Sequence, residues 1–115
     1  MIEQIRPAAL AQWLLQQTTA PLVLDVREPW EVAVASVEPL ADARSFDVLT
    51  MPMQTIPQRL AELPQDRSIA CLCHHGMRSQ QVAAFLVSRG FEGVVNIAGG
   101  IDAWSRELDA SVATY

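Results

Sequence analysis

The chain is predicted to be an α/β domain with a mainly parallel central sheet flanked by helices on both faces, and three observations point to it. Residues 22–26, broken only by Asp25, and 69–73 are apolar runs of the sort found in strands covered on both sides. Each run passes through a short polar stretch into a segment with helical spacing, which is the β-α alternation of a parallel sheet. Half of the 115 residues are hydrophobic, enough to build a core without disulfides or metal. Residues 1–115 are therefore expected to form one domain, without internal repeat, low-complexity tract or linker.

Taken in order, residues 2–5 read as a short edge strand. Pro7 suits the first turn of a helix, and Leu10, Trp13 and Leu14 recur at helical spacing up to about Gln17. After the 22–26 strand, Glu28-Pro29-Trp30-Glu31 opens a short helix, and between Val32 and Ser45 local signals weaken. Ile56, Leu60 and Leu63 can share one face of a helix over 56–63, which Pro64 closes. The central strand is expected at 69–73 and the next helix at 79–89, with Val82, Ala83, Leu86 and Val87 on one face. Gly90 follows where a left-handed cap is expected. A strand at 93–97 and a Gly99-Gly100 turn lead into a final helix through Trp104 and Leu108. Trp13, Trp30 and Trp104 are read as packing residues.

Composition narrows the function classes. The formal charge is −5 and all eight basic residues are arginine, so no lysine-rich face marks nucleic acid or anionic lipid as a partner. The first residues lack a basic start followed by an apolar run, and no apolar span reaches membrane length. A soluble cytoplasmic protein is the expectation. Cys71 and Cys73, separated by one residue, do not resemble a secreted disulfide framework.

The chemistry concentrates in Cys71-Leu72-Cys73-His74-His75-Gly76-Met77-Arg78-Ser79. A strand delivers a cysteine to a polar loop, and a helix starts directly afterwards. Such a loop turns successive N–H groups inward, and the helix N-terminus adds partial positive charge, so a thiolate or oxyanion is stabilised there. Cys73 is accordingly the expected nucleophile, acidified by its position. Gly76 supplies a backbone conformation that a side chain would obstruct. Arg78 suits either the oxygens of an anionic substrate or an acidic partner such as Asp25 that braces the loop. Ser79 is read as a helix cap whose hydroxyl can face the sulfur. His74 and His75 border the pocket mouth, either as sources of positive potential or as solvated loop residues. Cys71 is read as a buried small hydrophobe, with a resolving thiol as the alternative. Asp25 and Arg27 end a strand on the same side of the sheet, as a structural ion pair or a supporting part of the site.

Cys-x-x-Gly-x-Arg-Ser, here Cys73, Gly76, Arg78 and Ser79, resembles the active-site loop of the rhodanese family of sulfurtransferases. Leu22-Val23-Leu24-Asp25-Val26-Arg27-Glu28-Pro29-Trp30-Glu31 is similar to that family's first signature, and Asn96-Ile97-Ala98-Gly99-Gly100-Ile101-Asp102-Ala103-Trp104 to its C-terminal one. The three fall in the right order across nearly the whole chain. The resemblance implies a rhodanese-like fold and a persulfide carried on Cys73. It implies a loop from His74 through Met77 to Arg78 and Ser79 that binds substrate. A small sulfane donor such as thiosulfate and a thiophilic acceptor, cyanide or a small or protein thiol, would be the partners, with no cofactor and no metal. One departure stands out: where relatives commonly carry a Gly-His-Ile type turn, this chain has Ala33-Val34-Ala35-Ser36-Val37-Glu38-Pro39-Leu40.

Three rival readings follow from the same residues. Cysteine phosphatases and related arsenate reductases use similar loop physics but place five residues between cysteine and arginine, against four here. Rhodanese-like domains also act as non-catalytic interaction modules, usually after losing the cysteine. A metal site of Cys71, Cys73, His74 and His75 is disfavoured, because four ligands within five residues cannot surround a tetrahedral ion without unravelling the strand.

Overall fold

Five short strands lie side by side in the order β1-β5-β4-β2-β3, every neighbouring pair parallel, in a computed structural model that describes residues 2–39 and 44–115. Among the described residues, β1 is Glu3–Ile5, β2 Leu22–Asp25, β3 Asp47–Thr50, β4 Ile69–Leu72 and β5 Val94–Ile97. The helices are α1 (Leu10–Leu15), α2 (Pro29–Val34), α3 (Met77–Ser88) and α4 (Gly100–Glu107), with 3₁₀ turns at Pro7–Ala9, Met53–Thr55 and Leu60–Glu62. No helix of the described residues is long and apolar enough to cross a membrane.

The period of two in the central strands sorts their side chains into two cores. Val23, Ala70, Leu72, Val95 and Ile97 pack with Leu10, Trp13, Leu14, Ile101 and Trp104 of α1 and α4. Leu22, Leu24, Ile69, Cys71 and Val94 pack on the other face with Ile56, Leu63 and the α3 residues Val82, Ala83 and Leu86. Both faces of the sheet are therefore covered, which is why β2, β4 and β5 are buried at every position.

The strand order positions the site. From β2 the chain moves outward to β3, and from β4 it moves the opposite way to β5, so the connections diverge between these two neighbours. Ligand crevices in open α/β sheets form at that divergence, beyond the carboxyl ends of the strands. Asp25 ends β2, and Cys73 follows β4 directly.

Several sequence expectations need correction. No α-helix forms over 56–63. The N–H of Ile56 reaches the carbonyl of Met53, that of Arg59 is shared between Thr55 and Ile56, and that of Leu63 reaches Leu60, so the segment folds as tight turns with a 3₁₀ piece at Leu60–Glu62. Ile56 and Leu63 are still buried as their spacing suggested. Strand β3 was not expected: it is an edge strand with exposed Asp47, Val48 and Thr50, and it lacks a clean apolar pattern. Trp30 does not pack inward but is 63% exposed, touching Tyr115 edge-on, whereas Trp13 and Trp104 are buried. In the divergent stretch Ala33–Leu40, Ala35 and Val37 are buried and Leu40 lies outside the described residues.

Gly100 illustrates how tightly the end of β5 is fitted to the cysteine loop. Its φ is +61°, and an added Cβ would fall 2.5 Å from the Cys73 carbonyl oxygen and closer still to that of His74. The same two carbonyls accept the N–H groups of Ile101 (2.9 Å) and Asp102 (3.1 Å). Gly100→Ala is therefore expected to destabilise the domain by at least about 2 kcal/mol, read by denaturant titration, and a change below about 0.5 kcal/mol would contradict this packing.

Candidate active site

Cys73 stands at the junction of β4 and α3, only 1% exposed. Its Sγ accepts the Gly76 N–H at 3.1 Å and lies 3.2 Å from Ser79 Oγ. Gly76 is the residue that caps α3: its φ is +102°, and its missing Cβ leaves room for the backbone of Gly99, which would otherwise be 3.0 Å away. Met77, Arg78 and Ser79 then form the first turn of α3, whose N–H groups have no carbonyl partner within the helix and point toward the loop. Ser79 is thus not the cap, as the sequence suggested, but a first-turn residue with its hydroxyl turned back to the sulfur. That hydroxyl also lies 2.5 Å from the Oδ1 of buried Asn96 on β5.

Arg78 is braced rather than free. Its two terminal nitrogens donate to Glu31 Oε1 (2.7 Å) and Oε2 (2.8 Å), a bidentate pair that ties α3 to α2. Asp25, offered above as the bracing acid, is occupied elsewhere: Arg27 donates to both of its oxygens, at 2.9 and 2.7 Å, and both residues are almost fully buried. The two lie two residues apart at the end of one strand, so Asp25 meets Arg27 locally and leaves Arg78 to the acid presented by α2. Arg27 also donates to the carbonyl of Ala35 (2.7 Å), which fixes the chain just beyond α2.

Tyr115 joins these groups from the other end of the chain. Its hydroxyl donates to Glu31 Oε2 (2.7 Å) and accepts from Arg27 Nη1 (3.1 Å). Its ring stacks on His74 at 3.8 Å, and His74 stacks on His75 at 3.9 Å. Burial, and then the neighbouring His75, pull the His74 pKa down, so this imidazole favours the neutral form. His75 and Met77 are exposed, Met77 by 77%, and form the rim of the loop. Glu31, Asn96 and Tyr115 were not singled out for the site by the sequence reading. Glu31 did carry a signal, since an acid three residues after Glu28 closes a capping interaction by accepting the Glu28 N–H at 3.0 Å.

Cys71 lies on β4 with no exposed surface, and burial, then the neighbouring Cys73, push its thiol up to about 12. It behaves as a small core residue. The hydrogen bonds from Arg78 hold the Glu31 carboxyl down at about 2, against an ordinary 4.5. A carboxylate with a depressed folded-state pKa stabilises the protein above its unfolded value, and the contribution is lost as the pH falls. Glu31→Gln is therefore expected to be less heat-stable than the wild type at neutral pH, the gap closing between pH 4.5 and about 2. Thermal melts across that window check this; a gap that stays constant would show that the charge of Glu31 is not what matters.

The arrangement defines a class: a parallel α/β domain with a buried cysteine held by a glycine-capped loop at a helix N-terminus. The rhodanese-like domain family model matches residues 7–107, and the chain belongs to that family. A sulfurtransferase from Allochromatium vinosum is 37% identical over 106 residues, covering 92% of this chain and 91% of its own. The thiosulfate sulfurtransferase GlpE of Vibrio cholerae is 35% identical over 96 residues, 84% of this chain and 82% of its own. Among solved structures, a rhodanese-related protein from Thermoplasma volcanium superposes with a TM-score of 0.71 at 31% identity, over 92% of this chain and 93% of its own. A Rhodopseudomonas palustris protein described as a possible tyrosine phosphatase also superposes, with a TM-score of 0.67 over 99% of this chain and 85% of its own; at 22% identity it shares the fold alone. The relatives that align over most of their length support a rhodanese-type enzyme.

Proposed function

We propose that the protein is a sulfurtransferase that moves sulfane sulfur from thiosulfate, or another sulfane donor, to a thiophilic acceptor through a persulfide on Cys73. The observation that carries this reading is the Cys73 sulfur itself, seated at the N-terminus of α3 with the Gly76 N–H at 3.1 Å and the Ser79 hydroxyl at 3.2 Å. Sulfur transfer asks for two things of such a site: a thiolate that attacks, and donors that hold an anion afterwards.

In the first half-reaction the thiolate of Cys73 attacks the outer sulfur of thiosulfate. A sulfur–sulfur bond forms to Sγ as the donor's own breaks, and sulfite departs with the bonding electron pair. In the second, cyanide or an acceptor thiolate attacks the outer sulfur of the persulfide, and the electron pair of the broken bond returns to Sγ as thiolate. Oxidation states balance without a cofactor. Free N–H groups of the first turn of α3 suit the donor's oxygens and the persulfide anion. Arg78 supports these steps by holding the loop against Glu31, and its partly exposed guanidinium keeps further N–H groups that an anionic donor could use. His74, His75 and Met77 form the rim over which donor and acceptor arrive. The acceptor is a small or protein thiol in a reducing compartment; neither nucleic acid nor membrane takes part.

Phosphate-ester hydrolysis is the weaker reading, because the loop is one residue short and the nearby aspartates are engaged: Asp25 by Arg27 and Asp102 by Arg106. The deciding assay is steady-state thiocyanate formation from thiosulfate and cyanide beside hydrolysis of an aryl phosphate. Thiocyanate formation that saturates with thiosulfate, with no phosphate release, supports sulfur transfer. Phosphate release alone would overturn it.

A further inference from the structure

Behind the cysteine runs a chain of polar groups of which the sulfur chemistry above uses only the Ser79 hydroxyl. Ser79 Oγ has one proton and two neighbours, Cys73 Sγ at 3.2 Å and Asn96 Oδ1 at 2.5 Å. The amide of Asn96 cannot easily turn over. Its Nδ2 donates to the carbonyl of Gly76 (3.0 Å) and to Gln4 Oε1 (2.8 Å), and inversion would set Oδ1 against the Gly76 oxygen. Oδ1 is therefore fixed facing Ser79, as an acceptor only. Gln4 in turn donates to Gln80 on α3, where the network reaches the surface.

We propose that Asn96 is a positioning residue that sets the ionisation of Cys73, by holding the Ser79 proton away from the sulfur. With the thiol, the chain is complete: the S–H donates to Ser79 Oγ, whose O–H donates to Asn96. With the thiolate, two buried acceptors compete for one proton, and the loser faces the oxygen lone pairs of its neighbour, the sulfur then keeping only the Gly76 N–H, a costly arrangement. Loading with sulfur relieves the conflict, because the negative charge moves out to the terminal sulfur and Ser79 can return its proton to Asn96. The free thiolate is thus the strained state and the persulfide the relaxed one, which favours sulfur capture. This last consequence rests on the sulfurtransferase reading, but the ionisation itself does not.

Other titratable and charged groups lie on the elements packed around the cysteine and are common to every variant below. Cys71 lies on β4, His74 and His75 in the loop, Arg78 on α3, the paired Asp25, Arg27 and Glu31 at the ends of β2 and α2, and Asp102, paired with Arg106, on α4. The experiment is the ultraviolet absorbance of the thiolate against pH, taken as the difference from a Cys73→Ser protein; the thiol of Cys71, pushed up to about 12, stays out of the range. Asn96→Ala is expected to raise the ionisation constant of Cys73 about tenfold, as one released hydrogen bond to a charged group allows. In a Ser79→Ala background the same substitution should change it by less than about twofold. No shift, or an equal shift in both backgrounds, overturns the proposal. If Asn96→Ala does not fold, Gln4→Ala at the exposed end of the network decides alone: a rise of about twofold or more supports it, and an unchanged constant overturns it. Because the titration needs no turnover, a protein that shows the shift but transfers no sulfur would keep this role for Asn96 and remove the activity proposed above.

Discussion

Cys73→Ser is expected to abolish sulfur loading and transfer, lowering turnover by at least about a thousandfold, while Cys71→Ser keeps most of it. The two cysteines are two residues apart, yet their environments separate them. Cys73 leaves the strand and meets the Gly76 N–H and the Ser79 hydroxyl, whereas Cys71 stays within β4 with no exposed surface. With its thiol pushed up to about 12, Cys71 is ionised to only about one part in 10⁵ at neutral pH. Serine at 71 would instead place a hydroxyl in the apolar cluster of Leu24, Ile69 and Val82, so the expected cost there is about 1–3 kcal/mol of stability rather than activity. Equal loss of transfer in the two variants, both folded, would point to a dithiol mechanism.

The second large effect is structural. Asp25→Ala is expected to destabilise the domain by about 3–5 kcal/mol, because it leaves the guanidinium of Arg27 buried without its counter-ion. Arg27 has no exposed surface, and its other partners are neutral: the carbonyls of Glu31 and Ala35 and the hydroxyl of Tyr115. None of them neutralises the charge. Because Arg27 also anchors the segment that presents Glu31 to Arg78, the cysteine loop should loosen along with the core. Urea unfolding measures the loss, and a value under about 1 kcal/mol would mean that water or a shifted neighbour compensates the charge.

How much of this was readable from the residues alone depends on where each group finds its partner. The central strands were legible because burial on both faces makes their sequences nearly continuous apolar runs, as in Ile69–Leu72 and, but for Asp25, in Leu22–Asp25. β3 was not, since an exposed edge strand beginning with Asp47 need not show the pattern. Residues 56–63 had the right apolar spacing but the wrong local geometry, because their backbone closes tight turns instead of continuing the α-helical ladder, a choice that side-chain spacing does not encode. Within the loop, the nature and place of the cysteine were evident, and so was the need for glycine at 76. The identity of the acid that braces Arg78 was not. Asp25 was the acid offered, and only its capture by Arg27 leaves the role to Glu31, 47 residues from Arg78 in the chain. Asn96 and Tyr115 reach the site across 17 and 84 residues, to Ser79 and Glu31 respectively, by packing that no local pattern encodes.

The most direct test of the central claim is intact mass after incubation with thiosulfate, with and without cyanide, on the wild type and on Cys73→Ser. The wild type is expected to gain the mass of one sulfur atom, to lose it on adding cyanide, and the variant to gain nothing. A wild type that gains no sulfur, or a Cys73→Ser protein that gains as much, would contradict a persulfide carried on Cys73.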